Sequence, residues 1–290
     1  MTDTTQVTSQ PASTITADPA PVGERELGAF AKLNAGNAGD FIERLDRMQQ
    51  YDGFRLYKEA SFAAMRLAPG MVVADIGCGA GDDVLKLSHL VGPEGMAIGV
   101  DISADMVEEA RKRFAGAPAL DFTVAQADSL PFADGSLDAI RADRVLIHVP
   151  DPAAAIAEML RVLRPGGRLV LCDPDMVGFW VSSADPMTSQ IVSGAIAKSC
   201  VNPFLARDMG VMLRDLALPE VAHHAMTMVT DDFAVVDRVV RFELVAQKIA
   251  AAGLLPAGQI EGWLAEQLQR RDEGRFAAGL SVMMACATKG

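Results

Sequence analysis

Residues 71–83 read MVVADIGCGAGDD, an apolar run followed by glycines at positions 77, 79 and 81. Successive apolar residues suit a strand buried on both faces, and a glycine-rich turn directly behind them suits the first strand-to-helix loop of an open parallel sheet. In such sheets ligands bind beyond the carboxyl ends of the strands, so Gly77, Gly79 and Gly81 stand where backbone would meet a ligand. A Cβ there would obstruct the approach, and glycine also permits the positive φ that a tight turn needs. Asp101 ends a second apolar run, GMAIGVDIS, about 20 residues further on, the spacing of a carboxylate that accepts the hydroxyls of a ribose. A nucleoside cofactor is implied. A dinucleotide fits less well, because G-x-G-x-x-G would need glycine where this chain has Asp82, and Asp82 with Asp83 places negative charge where a pyrophosphate seeks helix amides.

Outward from this loop, short apolar runs alternate with longer amphipathic ones: VVADIG, a helix from about 81 to 90, MAIGVD, a helix from Ser103 to about 114, DFTVAQ, LDAIRA, DPAAAIAEMLRVLR and RLVLCD. This alternation predicts right-handed crossovers and a mostly parallel sheet covered on both faces. Asp151 is placed to cap a helix that starts at Pro152, buries Ile156, Met159, Leu160 and Leu163, and stops at Pro165-Gly166-Gly167. Ser103 caps the helix carrying Met106, Ala110 and Phe114. Upstream, Phe41, Leu45 and Met48, then FRLYKEASFAAMRL, predict helices over 23–67. Residues 1–22 are rich in Thr, Ser, Pro and Gln and carry no Lys or Arg, so they read as a disordered tail and not as a secretion signal.

Beyond 175, the connection over 176–205 is too long for an ordinary loop. A helix near 204–216 follows, then the strand VAHHAMTMV. Two helices come next, one with Phe233, Val236, Val240 and Leu244 and one with Ile260, Trp263, Leu264 and Leu268, before a last strand, FAAGLSVMMACATK. The expected organisation is a tail (1–22), a helical lead-in and lid (23–67), a cofactor-binding core (68–175), and the remainder of the sheet with helical lid insertions (176–290).

The formal net charge of −12 disfavours nucleic acid or an anionic membrane as partner, since both attract clustered Lys and Arg. No apolar run approaches the roughly 18 residues of a membrane span. Cys78, Cys172, Cys200 and Cys286 show no C-x-x-C spacing, which suits reduced thiols in a cytoplasmic protein. A small molecule is the expected partner, and no metal site is expected.

The set DIGCGAG, GVDIS, AQADSLPF and DRVLIHVPDPAAAIAEMLRVLRPGG, in that order across about residues 40–175, resembles the class I S-adenosylmethionine-dependent methyltransferases. Within them it most resembles the UbiE-like, or type 11, group acting on small molecules. The resemblance implies a Rossmann-like, seven-stranded, mostly parallel sheet with helices on both faces, its last strand antiparallel. It implies S-adenosylmethionine as cofactor and S-adenosylhomocysteine as product. By the same resemblance, Asp75, Gly77, Cys78 and Gly79 would hold the amino-acid end of the cofactor and Asp101 its ribose. Ile102 and Met106 would lie against the adenine faces, Asp128 and the Ser129 amide would read the adenine edge, and Arg144 would reach the cofactor carboxylate or an acidic group of the substrate.

Methyl transfer from a sulfonium is an in-line displacement for which alignment and exclusion of water are the main requirements. A base is needed only where the acceptor loses a proton, and His148, after the fourth strand, is the candidate. Asp173 and Asp175 end the fifth strand on the ligand side, where Asp173 could orient an acceptor. Tyr51 and Tyr57 in the lead-in, with Phe179, Trp180, Met176, Met187, Met209 and Met212, predict a lid over a largely apolar acceptor site. Ala142-Asp143-Arg144-Val145 lacks the Asn/Asp-Pro-Pro-aromatic pattern of enzymes that methylate exocyclic amines of nucleic-acid bases. The expected acceptor is a polyketide, quinone, isoprenoid or similar metabolite, methylated at oxygen or carbon. Arg207, Arg214, Arg238 and Arg241 keep a phosphate- or carboxylate-bearing acceptor open. Three further readings stay open: the cofactor as scaffold in a cyclase-like or a non-methylating binding protein, a nicotinamide oxidoreductase, and a homo-oligomer.

Overall fold

Val72–Ile76 forms β1, an interior strand of one sheet in the computed structural model, which describes residues 52–290. Its continuous apolar character follows from parallel neighbours on both edges, β2 (Met96–Asp101) and β4 (Leu137–Asp143), and from helices on both faces. The helix α1 (Asp52–Ala64) precedes it. After β1 come α2 (Asp82–Val91), β2, α3 (Ala104–Arg113), β3 (Leu120–Val124), β4, α4 (Pro152–Val162) and β5 (Leu163–Pro174). The chain continues through β6 (Trp180–Val181), α5 (Pro186–Ala197), α6 (Leu205–Asp215), β7 (Ala222–Thr230), α7 (Phe233–Val240), α8 (Phe242–Ala251), α9 (Ala257–Asp272) and β8 (Ala278–Thr288). Tyr51, the helix expected around Phe41, Leu45 and Met48, and the expected tail lie outside the described residues.

The sheet runs β3-β2-β1-β4-β5-β8, with β7 along the outer edge of β8. The last strand is antiparallel, as expected, but it lies inside the sheet between β5 and β7. An eighth strand, the two-residue β6, continues along the edge of β8 beyond the point where β5 leaves it at Val282.

Side chains of β-strands alternate between faces, and each face has its own apolar cluster. One gathers Ile156 and Met159 of α4 with Leu205, Met209 and Leu213 of α6. The other gathers Tyr57, Phe62 and Met65 of α1 and its continuation, Val84 and Leu87 of α2, and Val107 of α3. A third cluster lies off the sheet faces, where Phe179, Val192, Phe233, Phe242, Ile249, Ile260, Trp263 and Phe276 join α5 to α7–α9. Phe242 is its hub, 5.6 Å from Phe233 and 5.5 Å from Trp263 between ring centroids.

The caps follow the local chemistry. Asp151 accepts the Ala154 amide ahead of Pro152, and Ser103 accepts that of Met106. Three local expectations fail. The chain leaves helix at Val162, so Leu163 opens β5 and the Pro165-Gly166-Gly167 turn falls within the strand. The helix expected over 233–244 is two helices, broken at Arg241 with φ 58°, where Asp237 accepts the Phe242 amide and so ends one turn and starts the next. Met209 and Met212 pack against the sheet and not in the third cluster.

Candidate functional site

Strand order reverses between β1 and β4, because the chain leaves β3 and crosses to the opposite side of β1. The crevice at such a switch point is where open α/β sheets take ligands. Asp75 is the last residue but one of β1, Asp101 ends β2, Asp143 ends β4 and Asp173 is the last residue but one of β5, so four carboxylates share this edge. The pocket there is lined by Lys58, Asp75, Gly77, Cys78, Gly79, Ala80, Asp82, Asp83, Arg141, Asp143 and Arg144.

The glycine loop has φ of 70°, 55° and 90° at Gly77, Gly79 and Gly81. The amides of Gly77 and Cys78 both donate to the Val100 carbonyl, and the Gly79 amide donates to Asp101 Oδ2 at 2.9 Å. A Cβ on Gly77 would lie 2.3 Å from Val145 Cγ2, and one on Gly81 would lie 2.6 Å from the Phe122 ring. At these two positions it is the protein's own packing that forbids a side chain, a reason additional to the expected ligand approach. Gly77→Ala is therefore expected to lose about 2–5 kcal/mol, from left-handed backbone strain together with overpacking. Adding Val145→Ala relieves the collision but not the strain, so urea unfolding should show partial recovery. A single variant as stable as the wild type would contradict this account.

Behind the loop lies a buried ion network. Arg141, wholly inaccessible on β4, donates to Ser61 Oγ at 2.8 Å, to Asp75 Oδ1 at 2.7 Å and to Asp143 Oδ2 at 2.8 Å, and its Nη1 is 3.3 Å from Asp83 Oδ2. Asp75 and Arg141 face each other in the register of β1 and β4, so the sheet itself sets this pairing. From α1, Lys58 donates to Asp83 Oδ2 and lies 3.6 Å from Asp143 Oδ2, while the Tyr57 hydroxyl donates to Asp143 Oδ2 at 3.3 Å.

The carboxylates respond unequally. Burial pushes Asp75 up to about 6, helped by the Asp83 charge and opposed by Arg141. Burial also works on Asp83 and Asp143, but Arg141 and Lys58 more than offset it and hold both below the usual carboxylate range. Asp173 is raised well above that range by burial and the Asp143 charge.

The residues expected to serve the cofactor fall into two groups. Asp75, Gly77, Cys78, Gly79 and Arg144 line the pocket. Asp101 accepts the amides of Gly79 and Ser103, and burial raises its pKa against those two hydrogen bonds. Ile102 is exposed, but Met106 is covered by protein at 2% exposure and offers no face to an adenine here. Asp128 is exposed, whereas the Ser129 amide already donates to the Gln126 carbonyl in a tight turn.

Around the expected acceptor, His148 sits half-buried in a 3₁₀ turn, with its pKa lowered to about 4 by burial and by the Arg144 charge. It is an unprotonated but weak base at neutral pH, below the near-neutral titration expected of it. Asp173 is fully buried and accepts the Ile147 amide of that turn at 3.5 Å. Tyr57 is buried against the ion network and not on a lid surface. Phe179 belongs to the third cluster, while Trp180 is 40% exposed on β6 opposite Gly279. Asp175 is bound by Arg207 through two 2.9 Å hydrogen bonds. Among the described residues no group of three or more His, Cys, Asp or Glu is arranged to hold a metal.

The pocket fits the amino-acid end of S-adenosylmethionine. Oδ1 of Asp83 and Oδ1 of Asp143 are buried without a hydrogen-bond donor, acceptors ready for an ammonium, and Arg144 supplies a cation at the same rim.

Comparison with known proteins agrees with this geometry. Residues 67–213 match the family described as Methyltransferase domain. The chain is 36% identical over 248 residues to an uncharacterized 37.1 kDa protein in a transposon of Streptomyces fradiae, covering 83% of this chain and 71% of that one. It is 34% identical over 146 residues to a demethylmenaquinone methyltransferase of Desulfitobacterium hafniense, a match spanning 47% of this chain and 58% of the relative. The fold superposes on YcgJ of Bacillus subtilis with a TM-score of 0.54 at 20% identity, covering 82% of this chain and 98% of that one. The chain belongs to the Methyltransferase domain family and is a class I S-adenosylmethionine-dependent methyltransferase.

Proposed function

We propose that this methyltransferase acts at carbon or oxygen of a small, mostly apolar metabolite of the quinone, isoprenoid or polyketide kind. One observation carries the acceptor class. The first residues of β8 extend past the carboxyl end of β5, and on them β6 and the third cluster are built, so an apolar layer rich in Phe and Trp stands on the same end of the sheet as the cofactor pocket. The cofactor supplies an electrophilic methyl group. The chain supplies orientation through the glycine loop, Asp101 and the carboxylate network, and it excludes water with the helices above. The domain reading follows: α1 and the helices of 176–290 act as lid over a core of 68–175.

The deciding experiment is incubation with methyl-labelled S-adenosylmethionine and a small-molecule extract, with mass spectrometry of labelled products. A labelled apolar product supports the proposal, and label only in phosphorylated or nucleotide products overturns the acceptor class. His148→Ala should leave S-adenosylhomocysteine affinity unchanged and slow turnover, and equal turnover would return His148 to a packing role.

The raised pKa of Asp75 makes a separate prediction. An ammonium bound beside it favours the ionised form, so binding expels the proton that Asp75 carries below about pH 6. Cofactor affinity should fall as pH drops through 6, and the binding enthalpy should depend on buffer ionisation near pH 6 but not at pH 8. Asp75→Asn should abolish that dependence. In the free protein the sign is opposite: a carboxyl raised on folding adds stability at low pH that is lost as pH rises through 6.

A further inference from the structure

We infer that Lys58, on a helix outside the matched methyltransferase domain, is a positioning residue of the cofactor pocket that makes docking of α1 and cofactor binding depend on each other. The family match begins at residue 67, whereas α1 spans Asp52–Ala64. Yet the inward face of α1 meets the pocket's charges one by one. Tyr57 meets Asp143, Lys58 meets Asp83 and Asp143, and Ser61 meets Arg141. The rings of Phe54 and Phe62 lie under Arg144 and Arg141, at 5.7 and 5.0 Å from the guanidinium carbons.

Lys58 is 4% exposed and lines the pocket together with Gly77 and Gly79. Its ammonium engages the Oδ2 atoms of Asp83 and Asp143 and leaves the Oδ1 atom of each buried without a hydrogen bond, that of Asp83 being 3.9 Å from Lys86 Nζ. Lys58 thus orients two carboxylates so that one oxygen of each stays available for the ammonium of the cofactor. Among the described residues, Asp75, Asp83 and Asp143 face two buried cations, Lys58 and Arg141, with Lys86 3.9 Å from Asp83 and Arg144 4.0 Å from Asp143 at the rim. Since α1 brings Lys58 to these carboxylates, a ligand that needs them in place also holds α1 down, and the coupling is reciprocal.

The test uses the full chain and S-adenosylhomocysteine. In the wild type, saturation with this ligand should slow amide hydrogen exchange across residues 52–64. Lys58→Met should weaken its binding by about ten-fold or more and remove that protection, while Lys58→Arg should restore most of both. Because Lys58→Met removes the ammonium bonded to buried Asp83, Lys58→Met/Asp83→Asn serves as the variant of matched charge, and it should fold and still lack the protection. Wild-type binding that leaves exchange in 52–64 unchanged overturns the inference. So does either Met variant, folded, binding within about two-fold of the wild type. A wild type that does not bind the ligand at all would instead count against the cofactor itself.

Discussion

Arg141→Met is expected to lower the melting temperature by roughly 6–20 °C, the consequence of losing about 3–5 kcal/mol when one partner of a buried ion network is removed. Methionine fills much of the same volume, so the loss comes from charge and not from a cavity. Three carboxylates, Asp75, Asp83 and Asp143, would remain buried, with Lys58 as the buried cation left among the described residues. The folded-state pKa values of Asp83 and Asp143 would then rise and that of Asp75, already raised, would rise further, and stability attached to a raised carboxyl is present at low pH and lost as pH rises. The deficit of Arg141→Met should therefore shrink toward pH 5 and widen toward pH 8. Arg141→Lys keeps the charge but cannot serve Ser61, Asp75 and Asp143 together, so it should fall between the two. Thermal unfolding followed by circular dichroism across this pH range measures all three proteins. Equal melting temperatures for wild type and Arg141→Met would mean that the network contributes nothing net.

Asp101→Ala should weaken S-adenosylhomocysteine binding by an order of magnitude or more, since a charge-assisted hydrogen bond contributes roughly 1.5–3 kcal/mol. The structure adds a second reason. Asp101 accepts the amides of Gly79 and Ser103 at 2.9 and 2.8 Å, so its carboxylate holds the glycine loop and the start of α3 in addition to the ribose contact expected of it. Asp101→Asn separates the roles. One amide oxygen keeps a single backbone partner, while the NH₂ group repels the other amide, so the loop loosens even where hydrogen bonding to hydroxyls survives. Calorimetry should place Asn between Asp and Ala. Affinity unchanged in the alanine variant would remove Asp101 from the cofactor site.

Much of the fold is legible in the sequence because it rests on local rules. Asp151-Pro152 marks a helix start that the structure reproduces atom for donor atom, with the Asp151 carboxylate on the Ala154 amide. The same pair recurs at Asp185-Pro186, where Asp185 accepts the Thr188 amide and opens α5 within the segment read only as a long connection. The Asp-Pro pair is the local signal for that helix start as well. The break at Arg241 had no comparable marker, since a non-glycine residue at φ 58° is held there by Asp237 and by the packing of Phe242 among three aromatic rings.

The cofactor loop was legible for a similar reason: glycine at a fixed spacing reports what the backbone must do. The sequence alone determined that a glycine loop follows a buried strand and that Asp101 ends the next one, and it favoured a nucleoside without a pyrophosphate over a dinucleotide. It also raised Arg144 and passed over Arg141, because an arginine in LDAIRAD looks like one polar step in a strand until its neighbours are known. Tertiary structure decided the rest. It set Arg141 beside Asp75 through the β1–β4 register, brought Lys58 and Tyr57 from a separate helix onto Asp83 and Asp143, and covered Met106 with protein. The physical reason is range. Capping, turn and periodicity signals act over a few residues and are written in order along the chain. A buried charge needs partners, and although Asp143 lies two residues from Arg141, the other partners come from 25 to 86 positions away and meet only once the sheet has formed.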